Sequence, residues 1–553
     1  MKIYNPILRG IHPDPSICRK DNDFYIVTSS FSAFPALPIF HSKDLAQWKC
    51  ISHAISDPAY MKLDGERMSH GIWAPSIRYY QGLFYIIARN MTSGGIFYVT
   101  AENPKGPWSQ PHWIDSNQFG IDPDFFFDDD GKIYLIAASP YEDCQYPNQV
   151  IIAAEFSLEK DRVIDKPWIL WGGALVNAHS PEAPHIYKKD GWYYLMIAEG
   201  GTEFYHCVTI SRSTDIHSRF EGYHGNPILT HRHLGEMAEI TGVGHGDLVD
   251  TKNGKWYMVI LGRRNNPYKY QSIGRETFIV PVAWENGWPV INPGKGIVES
   301  VVHESYGQKK DDLEIIPENE PFFDNFNENK LSDEWESLGV NENSYVIENS
   351  CLILRPKGAE TYPEDRKGCK FRQKVFIYGD DNAENTERLF NFWGYPQKDF
   401  SFSVCTKLYF KPETNQCAGL VFLQNNFNQI KIQICRKNNN IWIQTVKVET
   451  YEKSSKAFVH DNVYRYDVQT LCEIKYMYET VYLKLSAHFG MWKAEFSQDG
   501  SHWNVLLDHI DGWYLGKPEK TGFIGGKAGL FCSGDPLIQT QGVIFDWFLY
   551  EPL

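Results

Sequence analysis

One hairpin, written five times, governs what this chain can fold into. Its second strand reads Phe24-Tyr25-Ile26, Phe84-Tyr85-Ile86, Ile133-Tyr134-Leu135, Tyr193-Tyr194-Leu195 and Trp256-Tyr257-Met258. Each copy follows a turn-forming run: Lys20-Asp21-Asn22-Asp23, Tyr80-Gln81-Gly82, Asp129-Asp130-Gly131, Lys189-Asp190-Gly191 and Lys252-Asn253-Gly254. The five tyrosines are 60, 49, 60 and 63 residues apart. Strand-and-turn units that recur every roughly 40–60 residues are the signature of a β-propeller, because a lone hairpin sheet cannot bury both faces and radial stacking can. Five copies predict five blades.

The first strand of each blade lines the central channel of such a wheel, so equivalent positions converge on one axis. Counting back from the tyrosines, Asp14 lies 11 residues before Tyr25, and Trp73, Asp122, Glu182 and His245 each lie 12 before theirs. These five are read as one equivalent position. Asp14, Asp122 and Glu182, remote in sequence, would then share a pocket. Cleavage of a glycosidic bond needs one carboxylic acid to protonate the leaving oxygen and one carboxylate facing the anomeric carbon. Three acids supply both. Asp14 stands between Pro13 and Pro15, Asp122 precedes Pro123, and Glu182 follows Pro181. A residue before proline is expected to be extended, so the acids are predicted to ride on stiff, extended chain.

The repeats occupy residues 1–299, the predicted propeller. Residues 300–320 are poor in apolar side chains and read as a linker. Alternating runs such as Ala418–Leu423, Gln429–Ile434, Ile441–Val446 and Trp492–Phe496 predict a jelly-roll-like β-sandwich over 321–553. The fold class expected is therefore all-β, a five-bladed propeller followed by a sandwich.

A formal net charge of −15 over 553 residues argues against nucleic acid or an anionic membrane as partner, since both demand a basic patch. Aromatic residues make up 15%, enough to fill blades and to stack on sugar rings. The 11 cysteines include no CxxC pair, which speaks against a disulfide framework or a zinc site. No apolar run follows a basic start in residues 1–25, so the cytoplasm is the expected compartment. A small oligosaccharide is the expected partner, and a homo-oligomer is left open.

Six motifs, in order, carry a resemblance: His12-Pro-Asp-Pro-Ser-Ile17, Gly71-Ile-Trp-Ala-Pro75, Gly120-Ile-Asp-Pro123, Pro181-Glu-Ala-Pro-His185, Gly244-His-Gly-Asp247 and Gly274-Arg-Glu-Thr277. Together they resemble glycoside hydrolase family 43, in its β-xylosidase and α-L-arabinofuranosidase branch with a C-terminal sandwich. The resemblance implies an inverting exo-glycosidase that removes terminal β-D-xylosyl or α-L-arabinofuranosyl residues from plant-cell-wall-derived (arabino)xylo-oligosaccharides. It implies Asp14 as general base, Glu182 as general acid, and Asp122 as the neighbour that raises the pKa of Glu182 and orients it. Arg275 matches the arginine that contacts the sugar, and Trp73, Phe31 and Phe34 would wall the pocket. His245 matches a histidine near the channel centre which in some relatives touches a calcium ion or a water. No cofactor is required on this reading, and a structural calcium at His245 is the one ion it offers.

The sequence departs from the common pattern twice. Ser76 stands where many xylosidases have Asp, and Asp124 stands where many members have Ser. Asp124 is expected either to alter the titration of Asp122 or to point at solvent. Three alternatives compete. A fructan-cleaving propeller would retain configuration and carry an Asn-Asp-Pro-Asn-type start and a Glu-Cys pair; neither surrounds Asp14 or Glu182. An endo- or exo-arabinanase on the same fold, and a non-catalytic carbohydrate-binding propeller, are the others.

Overall fold

Apolar runs that alternate or stay continuous over five to nine residues become strands, and each turn run becomes a hairpin loop. The computed structural model describes the chain except at residues 1, 62, 64–67, 93–94, 116–117, 141–148, 176–178, 267, 269, 304–319, 339–344, 357–370, 375–389, 415, 426–427, 453–460, 517–522, 524 and 535–541. The described residues form strands and short 3-10 turns, with no α-helix among them. Among the described residues no helix is long and apolar enough to cross a membrane. Two compact units result: Met1–Lys62, His70–Lys269 and Arg275–Glu318, then Leu63–Ser69, Tyr270–Gly274 and Asn319–Leu553.

The first unit is the five-bladed propeller. The first three strands of blade 1 are Ser16–Lys20, Asp23–Val27 and Ala36–Ser42. Those of blade 2 are Ile72–Tyr80, Leu83–Asn90 and Gly95–Ala101, and those of blade 3 Ile121–Phe127, Ile133–Pro140 and Gln149–Ser157. Blade 4 has Glu182–Lys189, Trp192–Glu199 and Cys207–Ser213, and blade 5 Ile240–Asp250, Trp256–Arg264 and Glu276–Glu285. Separate apolar cores lie between neighbours: Tyr85, Ile87, Phe125 and Leu135 between blades 2 and 3, and Met196, Ile210, Met258 and Ile260 between blades 4 and 5. The wheel is closed by its N-terminal segment, which packs on the last blade. Lys2–Tyr4 pairs with Val301–His303, and the Asn5 amide bonds the carbonyls of Ile279 and Glu299. The expected linker 300–320 thus begins with a paired strand, because Ile3 and Val302 are both buried in the core between blades 5 and 1. Its residues 304–319 lie outside the described residues.

The second unit is a β-sandwich. One sheet runs Tyr345–Glu348, Cys351–Leu354, Val543–Pro552, Ser401–Tyr409, Thr480–His488, Met491–Ser497 and Trp503–Asp511, with Phe322–Asp324 added beside Val543–Pro552. The other includes Asn440–Glu452, Asn428–Lys437, Cys417–Asn425 and Lys527–Ser533 side by side. Alternation puts Ile430, Ile432 and Ile434 of one sheet against Val404, Leu483, Leu485 and Phe548 of the other in a single core.

Hairpin register sets which hub positions are equivalent. The loops Lys20/Asp23, Tyr80/Leu83 and Lys189/Trp192 enclose two residues, whereas Phe127/Ile133 and Asp250/Trp256 enclose five. The residue two beyond each repeated tyrosine therefore pairs with Ser16, Ser76, Asp124, His185 and Asp247. Two residues earlier on each strand stand Asp14, Ala74, Asp122, Ala183 and His245. Counting residues back to the tyrosines ignored the unequal loops. Trp73 and Glu182 precede the true equivalent position by one residue, which corrects the expectation that all five shared it.

Candidate active site

A β-bulge at the inner end of a blade's first strand builds the site. One extra residue is accommodated between Trp73 and Ser76, between Ile121 and Asp124, between Glu182 and His185, and between Gly244 and Asp247. The backbone turns left-handed in the last three of these bulges, with φ of 55° at Asp122, 55° at Ala183 and 52° at His245, and also at the equivalent Asp14, where φ is 55°. Extended chain is what the sequence predicts at Asp14 and Asp122, each of which precedes a proline. Steric exclusion of the right-handed helical region is respected, but the bulge takes the other way out, and Asp is among the residues that tolerate it. Bulges re-aim side chains, so Glu182 reaches the hub although it is out of register with Asp14 and Asp122.

Asp14 is buried and firmly held. Arg275 donates to its Oδ1 at 2.6 Å and the Ser29 hydroxyl to its Oδ2 at 2.5 Å, while His245 Nδ1 lies 3.7 Å from Oδ1. Ser29 accepts the Ala74 N–H at 2.7 Å, and Arg275 also donates to Thr202 at 3.2 Å. Burial pushes the Asp14 pKa up, but Arg275, His245 and the Ser29 hydrogen bond outweigh it, and the net shift is downward. Asp14 is a carboxylate at neutral pH.

Glu182 and Asp122 go the other way. Burial, then the charges of Asp122 and Asp14, hold Glu182 well above the usual carboxylate range. Asp122 is pushed up to about 7 by burial and by Asp14, although it accepts the Ala183 N–H at 2.9 Å. Like-charge repulsion by Asp122 adds to the rise of Glu182 but ranks behind burial. The two act as one coupled pair that holds a proton near neutrality. Asp14 and Asp122 are buried, whereas Glu182 keeps partial exposure, as a group meeting a ligand from solution requires.

Phe31 is buried beside this cluster, its ring centroid 5.8 Å from the Arg275 guanidinium carbon. It is held to the second blade because Gly71, with φ of 81°, lets the Phe31 carbonyl approach where a Cβ would fall 2.1 Å away. Trp73 is half-buried against the core between blades 3 and 4, and Phe34 is buried in the short strand Ala33–Phe34. Burial pushes the pKa values of His245 to about 4 and His206 to about 3, so both are neutral imidazoles at pH 7. His206 was not singled out by the sequence reading. It fits because Gly244 leaves room for its ring.

One level below the acids, the ring of Ser16, Ser76, Asp124, His185 and Asp247 is fully buried. Arg78, also unforeseen, fills its centre. The guanidinium donates to Asp124 at 2.5 Å, to Asp247 at 2.8 Å and to Ser16 at 3.3 Å, and lies 2.8 Å from His185 Nδ1. Asp247 also accepts from the Tyr187 hydroxyl at 2.6 Å and from the Ser16 hydroxyl at 2.7 Å. Burial would raise Asp247, but Arg78, His185 and Tyr187 outweigh it and hold its carboxyl well below the usual range. Asp124 does not point at solvent.

A calcium ion does not fit this hub. Ca²⁺ takes oxygen ligands, and the carboxylates below His245 are already engaged by Arg78. At about 4 Å from a guanidinium a divalent ion would be repelled by roughly 8 kcal/mol at an effective dielectric near 20. Among the described residues no three His, Cys, Asp or Glu side chains converge to hold a metal.

The profile of Glycosyl hydrolases family 43 matches residues 3–289, the whole span that carries these acids. The chain belongs to glycosyl hydrolases family 43. It is a glycosidase. Residues 323–551 match the β-xylosidase C-terminal concanavalin A-like domain that accompanies this family. A xylosidase/arabinosidase of Butyrivibrio fibrisolvens is 35% identical over 99% of both chains. A non-reducing end α-L-arabinofuranosidase of Bacteroides ovatus is 33% identical over 99% of this chain and 94% of its own. The crystal structure of a xylan β-1,4-xylosidase from Bacillus halodurans superposes with a TM-score of 0.83 at 29% identity, covering 99% of this chain and 100% of that one. Within the family pattern, the two departures noted in the sequence fall in one ring. Ser76 and Asp124 stand on the first strands of neighbouring blades.

Proposed function

We propose that this family 43 enzyme removes single β-D-xylosyl or α-L-arabinofuranosyl units from the non-reducing ends of small oligosaccharides, with inversion. The observation that carries the proposal is the opposite displacement of two acids at one hub: Asp14 is held ionised and Glu182 is held protonated. Titratable groups whose environments push their pKa values apart define the base and the acid. Asp14 takes a proton from water as the water oxygen attacks the anomeric carbon. Glu182 gives its proton to the glycosidic oxygen as that bond breaks, so one displacement yields two neutral products. Inversion calls for the two carboxyls to stand roughly 6.5–9.5 Å apart, with a water between base and sugar. Each Asp14 oxygen has a second lone pair beyond those taken by Arg275 and Ser29, which leaves an acceptor for that water.

Asp122 keeps Glu182 protonated and fixes the Ala183 N–H next to it. Arg275 keeps Asp14 charged, and Phe31 and Trp73 offer apolar faces to a sugar ring. The sugars follow the relatives: one is named for both activities, one for arabinofuranose at a non-reducing end and one for xylan. The test is nitrophenol release from aryl β-D-xyloside and aryl α-L-arabinofuranoside, with the first-formed anomer read by NMR. Release of monosaccharide with inverted configuration is expected. A retained anomer, or internal cleavage of a linear oligosaccharide before any monosaccharide appears, would overturn this reading.

A further inference from the structure

We infer that Arg78 is a positioning residue: its guanidinium is the built-in cation of the hub, and it sets the spacing of the catalytic acids from one level below. The assignment rests on topology as much as on contact. Arg78 belongs to the first strand of blade 2, and its partners Ser16, Asp124, His185 and Asp247 belong to the first strands of blades 1, 3, 4 and 5. A single planar group that touches the inner strand of every other blade can stand only at the centre of the wheel. Each partner is two residues from a member of the upper ring: Ser16 from Asp14, Asp124 from Asp122, His185 from Ala183 and Asp247 from His245. Across so short a stretch, with a left-handed step between, a shift below becomes a shift above.

Rigidity is reinforced from both sides. Ser16 Oγ accepts the Ile77 N–H at 3.0 Å, and Asp247 accepts the Ile17 N–H at 3.0 Å, so neighbouring blades are stitched through the same atoms that hold Arg78. The Tyr187 hydroxyl, besides donating to Asp247, accepts the Leu248 N–H at 2.9 Å. A fork that bonds two carboxylates and a hydroxyl is a task for arginine rather than lysine. The side chain retains 17% exposure, so small solutes can reach its place.

The activity arm of the test rests on the proposed reaction, so wild-type turnover is established first; the thermal arm needs no substrate. Arg78→Ala should lower kcat about 100-fold, the effect of an ångström-scale misplacement, while KM changes less than about threefold. It should also move the pH profile, because the charges near Asp122 and Asp14 shift. Guanidinium chloride at about 20 mM should restore at least tenfold in kcat and raise the melting temperature of the variant, whereas equal sodium chloride should do neither. Arg78→Lys, which keeps the charge without the fork, should fold and fall between. Exhaustive treatment of the wild type with a chelator should leave kcat and melting temperature unchanged. An Arg78→Ala protein with wild-type kcat and pH profile, or a folded one indifferent to guanidinium, would overturn the inference. So would an Arg78→Lys enzyme with wild-type kcat, or a chelator-induced loss that calcium reverses. A wild type inert on both aryl glycosides would instead count against the reaction, leaving the thermal arm to decide the role of Arg78.

Discussion

Two levels of the same five strands, two residues apart, treat the same functional group in opposite ways. In the lower ring Asp247 and Asp124 face a guanidinium, and Asp247 is driven strongly toward its charged form. In the upper ring Asp122 and Glu182 face each other and Asp14, with one arginine among three acids, and both are driven toward the protonated form. Burial is shared, so it does not distinguish the levels. What differs is the ratio of cation to carboxylate: one guanidinium faces two carboxylates below and three above, where Arg275 bonds Asp14. A buried charge is tolerable when paired and reactive when it is not. The lower level spends its charges on holding the blades together, and the upper level keeps a mobile proton.

The contrast breaks most completely if the upper acids are neutralised. Asp14→Asn should cost on the order of 10³–10⁴ in kcat on every substrate, whatever the leaving group. Glu182→Gln should cost as much on xylo-oligosaccharides but much less on aryl glycosides with good leaving groups, which need little protonation. Steady-state kinetics across a leaving-group series reads both. Equal losses along the series for Glu182→Gln would remove it from the role of acid.

Unbalancing the lower ring should be felt as stability. Asp247→Asn leaves Arg78, Tyr187 and Ser16 without their shared acceptor charge and should cost about 3–5 kcal/mol, the usual penalty for breaking a buried pair. Urea unfolding at pH 7 measures it, and an unchanged midpoint would mean the ring is not a staple.

Asp122→Asn should do the reverse. Removing that negative charge lets Glu182 ionise more easily, so the descending limb of kcat/KM moves down by on the order of one pH unit. The folded pKa of Asp122 lies near 7, above its unfolded value, so its native state binds a proton that the unfolded state releases. The stability it contributes is complete below about pH 4 and is lost as pH rises through 7. At pH 8 the variant should therefore be more stable than the wild type, by on the order of 2 kcal/mol. The smallest effect is expected for Ser29→Ala. Loss of one hydrogen bond to ionised Asp14 raises its pKa, and the ascending limb should move up by a few tenths of a pH unit, with kcat reduced less than about tenfold.

Much of the wheel could be read before any coordinate. The tyrosine hairpins gave the blade count, and alternation in stretches such as Gln429–Ile434 gave the sandwich. Asp14, Asp122 and Glu182 were found by spacing, but the reasoning was right for Asp122 and only fortunate for Glu182. Loops of two and of five residues shift the register by one, and a bulge then turns the displaced glutamate inward. Asp124 was noticed and its environment was not, since burial cannot be read from an acid next to proline. Arg78 went unremarked in Ser76-Ile77-Arg78-Tyr79, although an arginine in the apolar first strand of a blade is itself a signal.

Local chemistry along the chain is enough to dictate strands, turns and their fivefold recurrence, because hydrophobic alternation and turn propensity act over a few residues. It also delivers the inventory of acids. Which carboxylate keeps its proton was decided only when the blades closed, since Coulomb forces act through space. Arg275 lies 261 positions from Asp14, and Arg78 lies 169 from Asp247. No pattern along a sequence measures those separations; the wheel brings them within hydrogen-bond distance.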